Sequence, residues 1–174
     1  MSGHRKLGFK TSHRLSVLRN LTTQLIVAGH VETTVTRAKE VQKIAEQLIA
    51  DAVREHDNFT TKEILTSKAK LDAKGKKVLK EETSKAGNTF YKVDRELKTE
   101  DVQVDDPSRL QARRKAMQWL VKTKDENGQV INPTNVLFND VAPRYVDRKG
   151  GYTRIIPLET RRGDAALKCR LELI

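Results

Sequence analysis

Residues 151–174 read GYTRIIPLETRRGDAALKCRLELI. Leu167, Cys169, Leu171 and Leu173 alternate with Lys168, Arg170 and Glu172. A period of two gives a strand one buried face and one wet face. The segment 151–160 is expected to pair with 166–174 across the turn Arg161-Arg162-Gly163-Asp164. A short β-branched run at 30–35, HVETTV, is expected to join them in a small mixed or antiparallel sheet. Three to four helices then pack on one face, which makes the fold a two-layer α+β domain with a C-terminal β-hairpin.

Those helices are legible upstream. Leu15, Leu18, Leu21 and Leu25 recur at helical spacing, with Thr11 or Ser12 as the expected cap and Gly29 as the stop. Thr36 is expected to cap a second helix whose Val41, Ile44, Ala45, Leu48, Ile49, Ala52 and Val53 form the most regular stripe in the chain. Asp106-Pro107 opens a third, with Leu110, Met117, Leu120 and Val121 expected to be buried and Trp119 at the margin. Asn132-Pro133 opens a fourth, short helix with Val136, Leu137 and Val141 inward, ending near Pro143. Between the third and fourth, Asn127-Gly128 marks the turn of a small hairpin.

Charge is segregated along the chain. The net charge is +11. Residues 1–20 hold five Lys/Arg and no acid, 109–121 are +4 and 144–174 are +4, whereas 56–108 hold eleven of each sign. Such cation-rich stretches attract polyanions, because each neutralised phosphate releases condensed counterions; an anionic membrane surface is the competing partner. The organisation expected is a basic arm at 1–10, a core domain from 11–55 and 107–174, and a charge-neutral insertion at 56–106 that is mobile or only partly ordered. The three cationic stretches are expected to converge on one footprint, and the neutral insertion to add little to polyanion affinity.

Cys169 is the single cysteine, so no internal disulfide and no Cys-rich zinc site is expected, which suits a reducing cytoplasm. The start lacks the apolar stretch of a signal peptide, and no apolar run has the length of a membrane helix. His4, His13, His30 and His56 lack ligand spacing, and no nucleophile elbow, phosphate loop or dinucleotide fingerprint occurs. The chain is therefore read as a non-enzyme with no cofactor, no metal and no small-molecule substrate.

The residues that suit a nucleic acid fall in five groups. His4, Arg5, Lys6, Lys10, His13, Arg14 and Arg19 form a basic arm running into a helix N-terminus, where free N–H groups favour phosphate. Asn20, Thr33 and Thr34 are short polar groups suited to phosphate or ribose oxygens, or equally to plain capping and strand roles. Arg113, Arg114 and Lys115 are adjacent cations on the third helix. Arg144, Tyr145, Arg148, Lys149, Gly150, Gly151, Tyr152, Thr153 and Arg154 combine cations with a Gly-Gly pair whose N–H groups could form an anion nest. Tyr145 and Tyr152 are either core residues or stacking platforms. Arg161 and Arg162 are expected to reach outward from the hairpin turn, with Asp164 holding its N–H groups.

Three blocks carry a family resemblance: 4–49, beginning HRKLGFKTSHRLSVLRNLTTQLIVAGHVETTVTRAKE; ARRKAMQWL at 112–120; and LFNDVAPRYVDRKGGYTRIIPLETRRGDAALKCRLEL at 137–173. Together they resemble the bacterial family of the seventeenth protein of the large ribosomal subunit. The resemblance implies a compact α+β domain that binds large-subunit ribosomal RNA, meets neighbouring ribosomal proteins, and sits near the peptide exit region in a structural role. Ser12, Asn20, Thr33, Thr34, Ala38 and Lys39 match the family pattern alongside the arm and loop cations. The insertions at 56–106 and roughly 122–135 lie outside it. The alternative is a free RNA- or DNA-binding accessory protein.

Overall fold

The structure, a computed structural model, describes residues 5–124 and 127–174. The helix α1 (Thr11–Ala28) stops where expected: Gly29 takes φ 76° and its N–H bonds the Leu25 carbonyl at 2.9 Å. Glycine adopts this left-handed conformation without a Cβ clash. The strand β1 (His30–Thr34) follows, then α2 (Val35–Arg54). α2 begins directly after Thr34, so Thr36 lies inside the first turn rather than at the cap. Its Val41, Ile44, Ala45, Leu48, Ile49 and Ala52 are all buried. Each buried Val, Leu or Ile there contributes about 1.5–3 kcal/mol of transfer free energy.

The helix α3 (Pro107–Trp119) starts after Asp106, with Pro107 at its first position. Its inward face differs from the expected one. Leu120 is buried as expected, but Leu110, Met117 and Val121 are exposed, and Arg109 and Ala116 are buried instead. The small side chains Ala112 and Ala116 let the helix approach closely, and the Arg109 guanidinium lies 5.6 Å from the Phe138 ring centre while pairing with Asp105 at 2.7 Å. Beyond it, β6 (Thr123–Lys124) pairs with β7 (Val130–Ile131), and Gly128 has φ 78° between them. Thr23 on α1 accepts the Val121 N–H at 3.0 Å, fixing the exit of α3 against α1.

Asn132 caps α4 (Pro133–Val136) by accepting the Thr134 N–H at 3.2 Å. The helix does not end at Pro143. It continues as a wide turn over Leu137–Val141 and a tight one over Ala142–Tyr145, burying Leu137, Phe138, Val141 and Tyr145. Pro143 is tolerated because it sits at the start of that last turn, where no N–H is required.

The hairpin β8 (Thr153–Thr160) and β9 (Leu167–Leu173) pairs antiparallel, and β1 adds to the far edge of β9, giving the order β1-β9-β8. Val31, Cys169, Leu171 and Thr153 turn to the helices, while Leu167 is exposed near the hairpin turn. Burial pushes the Cys169 thiol pKa up. This is the α+β layering expected.

The chain divides into two compact units, one from the residues up to Asn58 together with Asp105–Ile174, the other Phe59–Val104. In the second, β2 (Phe59–Ala69) pairs with β5 (Arg95–Asp105), and β3 (Leu79–Thr83) pairs antiparallel with β4 (Thr89–Val93). Among the described residues none between 59 and 104 is buried.

Candidate nucleic-acid interface

His4 lies outside the described residues. From Arg5 onward the arm folds onto the starts of α1 and α2. Arg5 pairs at 3.5 Å with Glu40, which Lys43 also meets at 3.7 Å. Glu40 is only 1% exposed, an internal carboxylate that ties the arm to α2. Phe9 sits edge-on to His13 with ring centres 4.5 Å apart, and the Arg37 guanidinium lies 5.4 Å from the Phe9 ring centre. Neither Thr11 nor Ser12 caps α1; Lys10 occupies the cap position and its side chain makes no capping bond.

This end therefore gathers Arg5, Lys6, Lys10, Ser12, His13 and Arg14 with Lys39 on α2. Among the described residues Lys6, Lys10, Arg14, Arg19 and Lys39 form no ion pair, and the Arg14 Nε is buried without a hydrogen-bond partner. Arg19 and Asn20 are exposed further along α1. Thr34 shares a hydroxyl contact with Thr36 at 3.3 Å, and Thr33 is half-buried opposite Cys169.

The second gathering is the loop after α4. Arg144, Arg148 and Lys149 are exposed. The two tyrosines are core residues, not platforms. Their rings pack edge-on at 5.3 Å and 62°. Tyr145 donates to the Ile174 carbonyl at 2.8 Å and Tyr152 to the Arg148 carbonyl at 3.2 Å. Burial raises the Tyr145 phenol pKa, with Arg144 and Arg148 pulling the other way. Gly150 and Gly151 take φ 110° and 63°, and Arg148 folds back so that its Nε donates to the Gly150 carbonyl at 3.2 Å.

The nest that follows is already filled by the protein itself. Glu46 of α2 accepts the Tyr152 N–H at 3.2 Å, the Thr153 N–H at 2.9 Å and the Thr153 hydroxyl at 2.7 Å. These donors therefore serve an internal carboxylate and fix the loop on α2. Periodicity could not reveal this, because Glu46 reads as a solvated charge on a helix face.

The outer face of the sheet holds Arg154 and two further cations, Lys168 and Arg170, that were not among the expected contacts. Arg170 pairs with Glu32 at 3.0 Å across β9 and β1, and Lys168 lies opposite Thr34. Arg154 pairs with Glu172 at 2.6 Å. At the hairpin turn Arg161 does not reach out. It grips Asp164 through two bonds of 2.9 and 2.7 Å and lowers the carboxyl pKa, leaving Arg162 exposed and without an ion-pair partner among the described residues.

The cations of α3 separate as a helix demands, since neighbours point about 100° apart. Arg113 bonds Asn135 at 2.6 Å and Asp105 at 3.1 Å, over the Phe138 ring. Lys115 pairs with Asp51 at 2.5 Å, and Arg114 is exposed with no ion-pair partner among the described residues.

The expected single footprint resolves into two groups. Thr34 pairs with Lys168 and His30 with Glu172. The arm group thus lies beyond one end of β1 and the 144–154 loop beyond the other, and the strand itself spans about 13 Å at 3.3 Å per residue. Lys168, Arg170 and Arg154 run between them on the outer face of the sheet.

Fold and charge together define a small basic α+β protein that presents unpaired cations at both ends of a three-stranded sheet. Residues 17–174 match the family described as Ribosomal protein L17. The chain is 51% identical over 174 residues to the large ribosomal subunit protein bL17 of Acetivibrio thermocellus, and 52% identical over 174 residues to that of Ruminiclostridium cellulolyticum. It is 40% identical over 183 residues to the bL17 of Lachnospira eligens. Each of these alignments covers 100% of both chains, residues 59–104 included. The chain belongs to the ribosomal protein L17 family.

Proposed function

We propose that this protein is a structural constituent of the large ribosomal subunit in the cytoplasm, binding large-subunit ribosomal RNA near the peptide exit region beside neighbouring ribosomal proteins. The observation that carries the reading is the pairing pattern within a ribosomal protein family. Lys6, Lys10, Arg14, Arg19, Lys39, Arg114, Arg144, Lys149 and Arg162 have no ion-pair partner among the described residues. Those cations are the groups free to take phosphates, while Arg5, Arg113, Lys115, Arg154 and Arg161 are held by the protein's own carboxylates. The core formed by 11–55 and 107–174 keeps them in register, and Glu40 and Glu46 lock the arm and the loop to α2.

The chemistry is charge neutralisation and fixation. RNA is recognised here by backbone and shape, which flexible cations at loop and arm positions serve. No helix among the described residues is long and apolar enough to cross a membrane. The test is fractionation. The protein should sediment with large subunits in near-stoichiometric amount and stay bound through a moderate salt wash. Recovery in trace amounts, or in the ribosome-free fraction, favours a free nucleic-acid-binding accessory protein.

A further inference from the structure

The neutrality of residues 56–108 hides a gradient. Residues 70–92 hold seven lysines against three carboxylates, whereas 93–106 hold six carboxylates against two cations. Two of the seven lysines are paired, Lys80 with Asp94 at 3.0 Å and Lys92 with Glu82 at 3.5 Å. Lys70, Lys74, Lys76, Lys77 and Lys85 form no ion pair among the described residues. The carboxylate nearest them in sequence, Asp72, is used to shape the loop. It accepts the N–H groups of Lys74 and Lys76, each at 2.9 Å, around Gly75 at φ 72°. The result is a fixed turn that projects Lys74, Lys76 and Lys77 into solvent.

In the β3–β4 hairpin that follows this turn, Phe90 and Tyr91 are 45% and 69% exposed, the only exposed Phe, Tyr or Trp rings among the described residues. As successive residues of β4 they face opposite sides of the hairpin. Tyr91 lies opposite Glu81 and its hydroxyl makes no hydrogen bond among the described residues. No core in this unit accounts for either ring. An exposed ring in a segment that also presents unpaired lysines has the make-up of a base-stacking platform with phosphate contacts. A protein-docking face would be depleted of lysine at its centre.

We infer that residues 70–93, the lysine turn together with the β3–β4 hairpin, form a second RNA-contact element, with Tyr91 stacking on an unpaired nucleotide of large-subunit ribosomal RNA and Lys74, Lys76 and Lys77 on phosphates of the same strand. This rests on the ribosomal RNA reading above. It reverses the expectation that the insertion adds little to affinity, which followed from averaging two oppositely charged halves.

The test uses the full chain and large-subunit ribosomal RNA, with affinity measured across a salt series. The hairpin variants are K74A/K76A/K77A, Tyr91→Ala and Tyr91→Phe; R144A/K149A reports the main domain. All these positions are exposed, so circular dichroism should match the parent. The lysine triple should flatten the slope of log K against log salt by about two units. Tyr91→Ala should weaken binding about tenfold, with Tyr91→Phe close to the parent, as expected for loss of one stacked base. Parent-like behaviour of the lysine triple and Tyr91→Ala, with a flattened slope for R144A/K149A, overturns the hairpin's role alone. So does crosslinking of residues 70–92 to a ribosomal protein in intact subunits when both hairpin variants bind RNA normally. If the parent itself shows no salt-dependent binding, the underlying RNA reading falls with it.

Discussion

Replacing Glu46 removes the group that seats the 150–153 loop on α2. Glu46→Ala leaves the Thr153 N–H and hydroxyl without an acceptor, and Thr153 is buried. The Tyr152 N–H loses its bond as well, but it adjoins exposed Gly151, where water can replace the carboxylate. A hydrogen bond to a charged acceptor is worth about 1.5–3 kcal/mol, and a stranded buried donor costs a similar amount. Two stranded donors and one rehydrated amide give a loss of about 3–5 kcal/mol. Glu46→Gln separates the contributions. Its carbonyl can replace Oε1, which accepts both Thr153 donors, while its NH₂ faces the Tyr152 N–H and loses that bond. The loss should then be about 1–2 kcal/mol.

Guanidinium unfolding followed by Trp119 fluorescence measures both, since Trp119 packs against the core. The midpoint should fall with an unchanged slope, and Tm should drop on the order of 10 °C for the alanine variant. A Glu46→Ala loss below 1 kcal/mol, or a glutamine variant as damaging as alanine, would refute the reasoning.

Three other outcomes are expected. Tyr145→Phe removes the bond to the Ile174 carbonyl and should cost about 1 kcal/mol near neutral pH in the same unfolding assay; because the folded phenol pKa is raised, the native tyrosine's contribution is whole below about pH 10 and lost as pH rises through the folded value, so the gap to phenylalanine should close in alkali. Gly29→Ala forces a Cβ into φ 76° and should destabilise by roughly 1 kcal/mol in thermal unfolding, whereas a neutral result would mean that the turn relaxes. R144A/K149A should flatten the salt dependence of RNA affinity by about two units, and Arg154→Ala by less than one, because Glu172 already neutralises Arg154; equal effects per cation would show that the internal pairing is irrelevant to binding.

What the sequence disclosed followed from periodicity and backbone chemistry. The hairpin and its third strand are readable from a period of two. The stripe of α2 is readable from a period of 3.6, and the stop at Gly29 from its lack of a Cβ. Pro107 and Asn132-Pro133 mark helix starts because proline needs no N–H donor there. The missed features are those in which a charged residue takes an interior role. Glu40 and Glu46 read as solvated until the arm and the loop fold onto them. Arg109 displaces Leu110 from the inward face of α3 because Asp105 and the Phe138 ring accept it. Tyr145 and Tyr152 sit in a cationic stretch, yet their hydroxyls find carbonyl partners inside. Charge counts had a further weakness: a sum over fifty residues cannot show that its cations and carboxylates lie in different halves.

The most direct measurement is a density map of the large subunit that carries this chain. Lys6, Lys10 and Arg14 at one end of the sheet, and Arg144 and Lys149 at the other, should each lie within hydrogen-bond distance of ribosomal RNA phosphates. A subunit in which both groups face open solvent or only protein would contradict the account.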